Sequence, residues 1–259
     1  MKSDFVSGIE KTFSAEIPEA LIFAYDTLGS TSDEAKQFAL SGEKASAFFI
    51  AREQTGGRGR RGRSFVSRDG GLYMSYLFYP TLCAKDSVML TVFTAVALCE
   101  VIEETAAVKP KIKWVNDIFL GGKKLAGILA EGGFAPNGET FEYAVIGIGV
   151  NLFGNSLDPE IDSIATTLEK ESGIRVDFND FAVRLAKKLT KFEEAHSGSY
   201  MDLYRMRSLV LGKRVRMTSA GEEFFASVLN IEDDGAIRIL LDEGEEKILY
   251  SAEVRLILN

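Results

Sequence analysis

The 259 residues exceed what one ordinary domain holds and predict one large domain followed by a small one. With 46% hydrophobic and 26% charged residues, the chain has the balance of a folded protein and not of a disordered one. A formal net charge of -8 excludes a general polyanion binder, so any phosphate contact must be local.

Lys2, Asp4, Glu10 and Lys11 break up the N-terminus, which therefore does not read as a signal peptide. The most apolar stretch, 87–102, is interrupted by Glu100 and is shorter than the ~20 residues a spanning helix needs, so it predicts a buried core helix. A cytoplasmic protein with no membrane partner is expected. Cys83 and Cys99 lack Cys-x-x-Cys spacing and read as buried thiols in a reducing compartment.

In chain order, 21–25 predicts a short strand, and Ser30 and Thr31 ahead of Asp33 and Glu34 predict a helix start. Residues 45–51 are again apolar. From 54 to 69 the hydrophobic periodicity vanishes while four glycines and five arginines appear. A loop of that length is uncommon in a compact domain and marks a site. Strands follow at 72–79, 111–114, 118–120, 124–131 and 141–150, with a helix at 86–104. The fold class is α+β, a mixed and mainly antiparallel sheet with helices. Phe178, Phe181, Leu185, Leu189 and Phe192 predict one or two helices across 178–207. Short strands at 215–218, 224–231, 236–241 and 247–250 then predict a small β-barrel. The expected domains are 1–208 and 209–259.

Gly57-Arg58-Gly59-Arg60-Arg61-Gly62 matches the dinucleotide fingerprint in letters but not in context, because a strand follows it where that motif requires a helix. No P-loop occurs in the chain. Arg58, Arg60, Arg61 and Arg63 instead supply forked donors on a bendable backbone. Phosphate binding, a short nucleic-acid patch and a solvated loop all satisfy that composition. The second constellation, Lys113-Trp114-Val115-Asn116-Asp117 and then Lys124-Leu125-Ala126-Gly127-Ile128-Leu129, reads as strand, turn, strand, with Gly121-Gly122 as the turn. Alternation places Lys124 with Ala126 and Ile128, opposite Gly127. There the lysine either pairs with an anion or reaches solvent.

Together these blocks resemble the signatures of biotin protein ligases. Ser30-Thr31-Ser32 is similar to that family's Ser-Thr-Asn block and Gly147-Ile148-Gly149-Val150-Asn151 to its Gly-Ile-Gly-x-Asn strand. The resemblance spans essentially the whole chain. It implies a class II synthetase-like biotin/lipoate ligase fold with an SH3-like C-terminal barrel, and formation of biotinyl-5'-AMP from biotin and ATP with Mg²⁺. Transfer to a lysine of a biotin carboxyl carrier protein then follows. It further implies that Ser30, Thr31, Ser32, Gln54, Gly57, Arg58 and Arg60 hold the biotin ring and tail, with Gly127 and Ile128 lining the pocket and Lys124 meeting the carboxylate. Arg58, Arg60, Arg63, Phe65, Asn116 and Asn151 would contact the nucleotide, and Asp117 would position the acceptor ammonium or a Mg²⁺. Val115 departs from the family's proline, Ser32 from its asparagine, and Phe65 from a tryptophan found in some members. Repressor-type members carry a DNA-binding domain ahead of the Ser-Thr block, whereas only 29 residues precede Ser30 here, so a ligase that binds no nucleic acid is expected. An exposed sheet edge would suit either a monomer or a homodimer.

Overall fold

The computed structural model describes residues 2–154, 157, 159–194, 197–219 and 221–256. Helix α1 (Asp4–Glu16), strand β1 (Leu21–Leu28), helix α2 (Thr31–Leu40) and strand β2 (Ala47–Gln54) lead into the arginine loop and β3 (Gly71–Phe78). Next come α3 (Val88–Ala106), β4 (Lys111–Lys113), β5 (Asp117–Leu120), β6 (Lys123–Phe134) and β7 (Phe141–Asn151). Helices α4 (Leu168–Ser172), α5 (Phe178–Leu189) and α6 (Ser197–Arg207) precede β8 (Arg214–Ser219), β9 (Glu222–Ile231), β10 (Ile237–Leu241), β11 (Glu246–Leu249) and β12 (Glu253–Leu256).

The first seven strands form one sheet in the order β1-β2-β3-β7-β6-β5-β4, with only β1 and β2 parallel. One face is sealed by α3, which is apolar nearly all round and buried along its length, together with α1, α5 and α6. Helix α1 was not expected. Val6, Ile9 and Phe13 give it a buried stripe, and the Ser3 side chain caps it by accepting from Val6 N–H at 3.2 Å. The opposite face carries α2 over Ala47, Phe49, Leu77 and Val145. The rest of that face is left to the arginine loop.

The expected C-terminal barrel takes the form of an open antiparallel sheet, β11-β10-β9-β8-β12, whose outer strands do not pair with each other among the described residues. Its fifth strand, β12, was not expected. The sheet shares the main core through Val215, Val228 and Ile237 and presses the turn at Gly235 against α3, where a Cβ would stand 2.3 Å from Val88. Cys99 is buried as expected, and burial drives its thiol pKa up, but Cys83 is exposed because it lies outside the helix on a surface segment. No described helix is long and apolar enough to cross a membrane.

Tyr204 of α6 is fully buried, and its hydroxyl donates to Val115 O at 2.9 Å behind the Lys-Trp segment. Tyr204→Phe strands that carbonyl at a cost of about 1–3 kcal/mol. Differential scanning calorimetry should show the melting temperature falling by about 2–4 °C for each kcal/mol.

Candidate active site

Register across the sheet builds the floor of a cavity. One cross-strand row runs Asp117, Gly127, Gly149, Tyr73, Ala51, and the next runs Leu129, Gly147, Ser75, Phe49. Side chains in a row share a face, so three glycines leave a shallow trough at its middle. The trough is filled from above. A Cβ on Gly149 would come within 2.5 Å of the Phe65 ring, one on Gly147 within 2.5 Å of Ser32 Oγ, and one on Gly127 within 3.2 Å of Lys124 Nζ.

That last contact corrects the expected placement of Lys124. Ile118 pairs with Ala126 and Phe119 with Lys124, so Leu125 is an extra residue on β6 and the alternation breaks there. Ala126 and Ile128 remain in the core, while Lys124 joins Gly127 on the cavity side. Its ammonium neither stands alone nor simply reaches for water. Nζ meets Asp117 Oδ1 at 2.7 Å and sits 5.7 Å from the centroid of the Phe65 ring. A second ammonium, Lys113 Nζ, lies 3.9 Å from Asp117 Oδ2. Burial pulls the Lys113 pKa below its ordinary value, Asp117 pushes it back up and Lys124 lowers it again. The Gly121-Gly122 turn is as expected, with φ of 57° and 80°.

The arginine loop lies closed over this floor, and its arginines already hold partners within the chain. Arg58 Nη2 reaches Asp33 Oδ1 at 2.7 Å and Glu131 Oε2 at 2.9 Å. Arg60 Nη1 donates to Asn116 Oδ1 at 3.1 Å, and burial, with Arg61 beside it, pulls its guanidinium below the ordinary value. Arg61 takes the left-handed conformation at φ 57° and donates to Ser251 Oγ at 3.1 Å, and Arg63 pairs with Glu253. Two of the four arginines are thus tied to the C-terminal sheet.

Burial alone would raise the Glu253 carboxyl, but hydrogen bonds from Arg63 and Arg255 override it and hold the pKa below its usual 4.5. The stability this pair contributes is fully present above pH 4.5, fades below it, and is gone beneath the lowered folded value. Glu253→Gln should mimic that loss at neutral pH. An exposed ion pair contributes ~0.2–1 kcal/mol, so proteolytic nicking of the loop should speed up by up to about fivefold while the melting temperature barely moves.

At the far end of the trough, Ser30 begins α2 without its side chain capping the helix. Gln54 does that work from β2, its Oε1 accepting from Thr31 N–H at 2.8 Å and from the Thr31 hydroxyl at 3.1 Å. The Thr31 and Ser32 hydroxyls in turn lie 2.8 and 2.9 Å from Ser75 Oγ.

Of the residues expected at the site, Ser30, Thr31, Ser32, Gln54, Arg58, Arg60, Arg63, Phe65, Asn116, Asp117, Lys124, Gly127 and Ile128 line one cavity. Gly57 and Asn151 do not. Gly57 is pressed under the loop, where a Cβ would stand 2.4 Å from Phe65 O, so it serves close packing. Asn151 is buried and donates to Thr166 O at 3.2 Å, next to the segment whose backbone pairs with Lys124. The sequence reading gave no site role to Lys113, Ser75, Asp33, Glu131 or Glu253. Lys113 stood only as part of the Lys-Trp block and Asp33 as a helix-start acid, while Glu131 and Glu253 read as ordinary surface charge. A serine inside the apolar run of β3 was the one available signal for Ser75.

Asp117 fits poorly as a protein-bound Mg²⁺ ligand, since both its oxygens face ammonium groups and the described residues hold no cluster of three metal-binding side chains. Nucleotide phosphates would bring their own magnesium.

The biotin/lipoate A/B protein ligase family matches residues 26–151, and the biotin protein ligase C-terminal domain matches residues 210–256. The bifunctional ligase/repressor BirA of Bacillus subtilis is 31% identical over 96% of this chain and 78% of its own. The biotin–[acetyl-CoA-carboxylase] ligase of Paracoccus denitrificans is 31% identical over 87% of this chain and 96% of its own. Among solved structures, the biotin protein ligase from Aquifex aeolicus in complex with biotin and ATP superposes with a TM-score of 0.76 at 26% identity, covering 92% of this chain and 99% of that one. With this likeness along nearly its whole length, and with the arginine loop, the Lys-Trp segment and Lys124 gathered around one trough, the chain is an enzyme of the biotin protein ligase family.

Proposed function

We propose that this chain is an ATP-dependent biotin protein ligase that acts in two half-reactions. In the first, a biotin carboxylate oxygen attacks the α-phosphorus of ATP, a P–O bond forms and pyrophosphate leaves. In the second, a lysine amine of a biotin carboxyl carrier protein attacks the acyl carbon of biotinyl-5'-AMP, an amide forms and AMP leaves. The acceptor's ordinary pKa of ~10.4 means that it must shed a proton before attack.

The observation that carries this reading is the Lys124–Asp117 pair at 2.7 Å on a glycine floor beneath a closed arginine loop. Lys124 supplies fixed positive charge where carboxylate and phosphate oxygens must approach each other, and that is catalysis by a preorganised field. Ser30, Thr31, Ser32, Gln54 and Arg58 would receive the biotin ring and Gly127 and Ile128 its tail. Arg60, Arg63, Phe65 and Asn116 would close on the adenylate. For Asp117 we propose a counter-ion role that aims Lys124, and for residues 1–208 and 209–259 a catalytic and a C-terminal domain.

ATP–pyrophosphate exchange with biotin, lipoate or neither present tests the reading. Exchange that depends on biotin supports it, and exchange with lipoate alone overturns it in favour of a lipoate or octanoate ligase. We propose ligation, and not gene regulation, as the activity of the residues described; helix α1 packs its apolar stripe of Val6, Ile9 and Phe13 on the core. Salt-dependent, sequence-specific DNA binding would contradict that part alone.

A further inference from the structure

Ser75 has no exposed surface and lies behind the cavity wall, in the row Leu129, Gly147, Ser75, Phe49. Its hydroxyl is within hydrogen-bond distance of both Thr31 and Ser32, and distance alone leaves the donors unassigned. Gln54 settles the direction. Its Oε1 accepts from the Thr31 backbone N–H, a group that can only donate, so the amide turns its oxygen to Thr31 and its NH₂ to Ser67 Oγ at 2.9 Å. The Thr31 hydroxyl then donates to the same Oε1. Its oxygen must accept from Ser75, and Ser75 must accept from Ser32. Every hydrogen in the relay is used internally. Ser32 Oγ is left with lone pairs only, at the cavity wall beside Gly147, and makes no other hydrogen bond among the described residues.

We propose that Ser75 is a positioning residue that fixes Ser32 as a hydrogen-bond acceptor, so that this end of the trough selects an acid whose ring carries an N–H donor. The proposal rests on the biotin reading and deepens it. The cyclic urea of biotin presents N–H donors, whereas the dithiolane of lipoate and the alkyl chain of octanoate present none. A ligand without a donor leaves the Ser32 oxygen desolvated and unpaired, and a site built to pair with a polar group rejects analogues that lack it. Without Ser75, the Ser32 hydroxyl is free to rotate between donating and accepting, and the selection weakens.

The test is ATP–pyrophosphate exchange by the full chain, its Ser75→Ala and Ser32→Ala variants and the double variant, with biotin and with a ring-N-methylated biotin. Ser75→Ala should raise the KM for biotin about tenfold with kcat unchanged, and should narrow the preference for biotin over the methylated analogue. In the Ser32→Ala background the same change should add less than about twofold, because Ser75 acts through Ser32. Ser75→Cys, which keeps the shape but donates weakly, should fall between Ser75→Ala and the parent and serves if the alanine variant does not fold. A lowered kcat with an unchanged KM, independent effects in the double variant, or an unchanged preference would overturn the relay. Exchange by the parent chain with lipoate and not with biotin overturns the biotin reading itself, and is seen before any variant is made.

Discussion

Lys124→Ala is expected to remove biotin-dependent ATP–pyrophosphate exchange by a factor of about 10²–10³ in kcat, the range found when one preorganised charge donor is deleted from a reacting centre. The substitution separates chemistry from folding. The backbone of Lys124 is held independently of its side chain, its N–H donating to Ile164 O at 3.0 Å and its carbonyl accepting from Thr166 N–H at 2.9 Å. The melting temperature should therefore stay close to that of the parent. Asp117 loses one of its two ammonium partners, with Lys113 remaining 3.9 Å from it, and the Phe65 ring loses its cation. Exchange that persisted near the parental rate would reduce Lys124 to a lysine that merely reaches the cavity surface.

Asp117→Asn should slow adenylation by about tenfold to a hundredfold, through Lys124 and not through a metal. Without the carboxylate charge, two half-buried ammoniums face each other and Lys124 loses the partner that aims it. A pH consequence follows from Lys113. Asp117 is the neighbour that holds its proton on, against burial and the charge of Lys124, so in the variant Lys113 deprotonates at lower pH. The Lys113 ammonium itself should titrate at lower pH in the variant, as followed by NMR of its side chain, while the Mg²⁺ concentration giving half-maximal exchange stays unchanged. A shifted Mg²⁺ requirement would make Asp117 a metal ligand. Normal exchange with failed transfer to the carrier protein would assign it to the acceptor amine.

Glycines in β6 and β7 were visible in the sequence, but their purpose was not. Gly127, Gly147 and Gly149 are far apart or merely alternate along the chain, and become a floor only when strand register lays them side by side. The placement of Lys124 shows the same limit more sharply. Period-two alternation is a local rule, and a single extra residue at Leu125 inverts it. Helix α1 was legible in its 3.6-residue stripe of Val6, Ile9 and Phe13, but short polar termini are easily passed over. Strand β12 was not legible, because four residues pairing with β8 carry too little pattern of their own.

Chain-local chemistry by itself indicated the α+β class, the buried helix, the arginine loop as a candidate site, and the two lysine-bearing segments. Each follows from composition or spacing over a few residues. Tertiary structure alone decided what those charges face. Arg63 meets Glu253 and Arg61 meets Ser251 from 190 positions away, and the polarity of Ser32 depends on Gln54 and Ser75 from two other elements. Charge pairing and proton direction act over a few ångströms of space, and the distance between two residues along the chain says nothing about that separation until the sheet has formed.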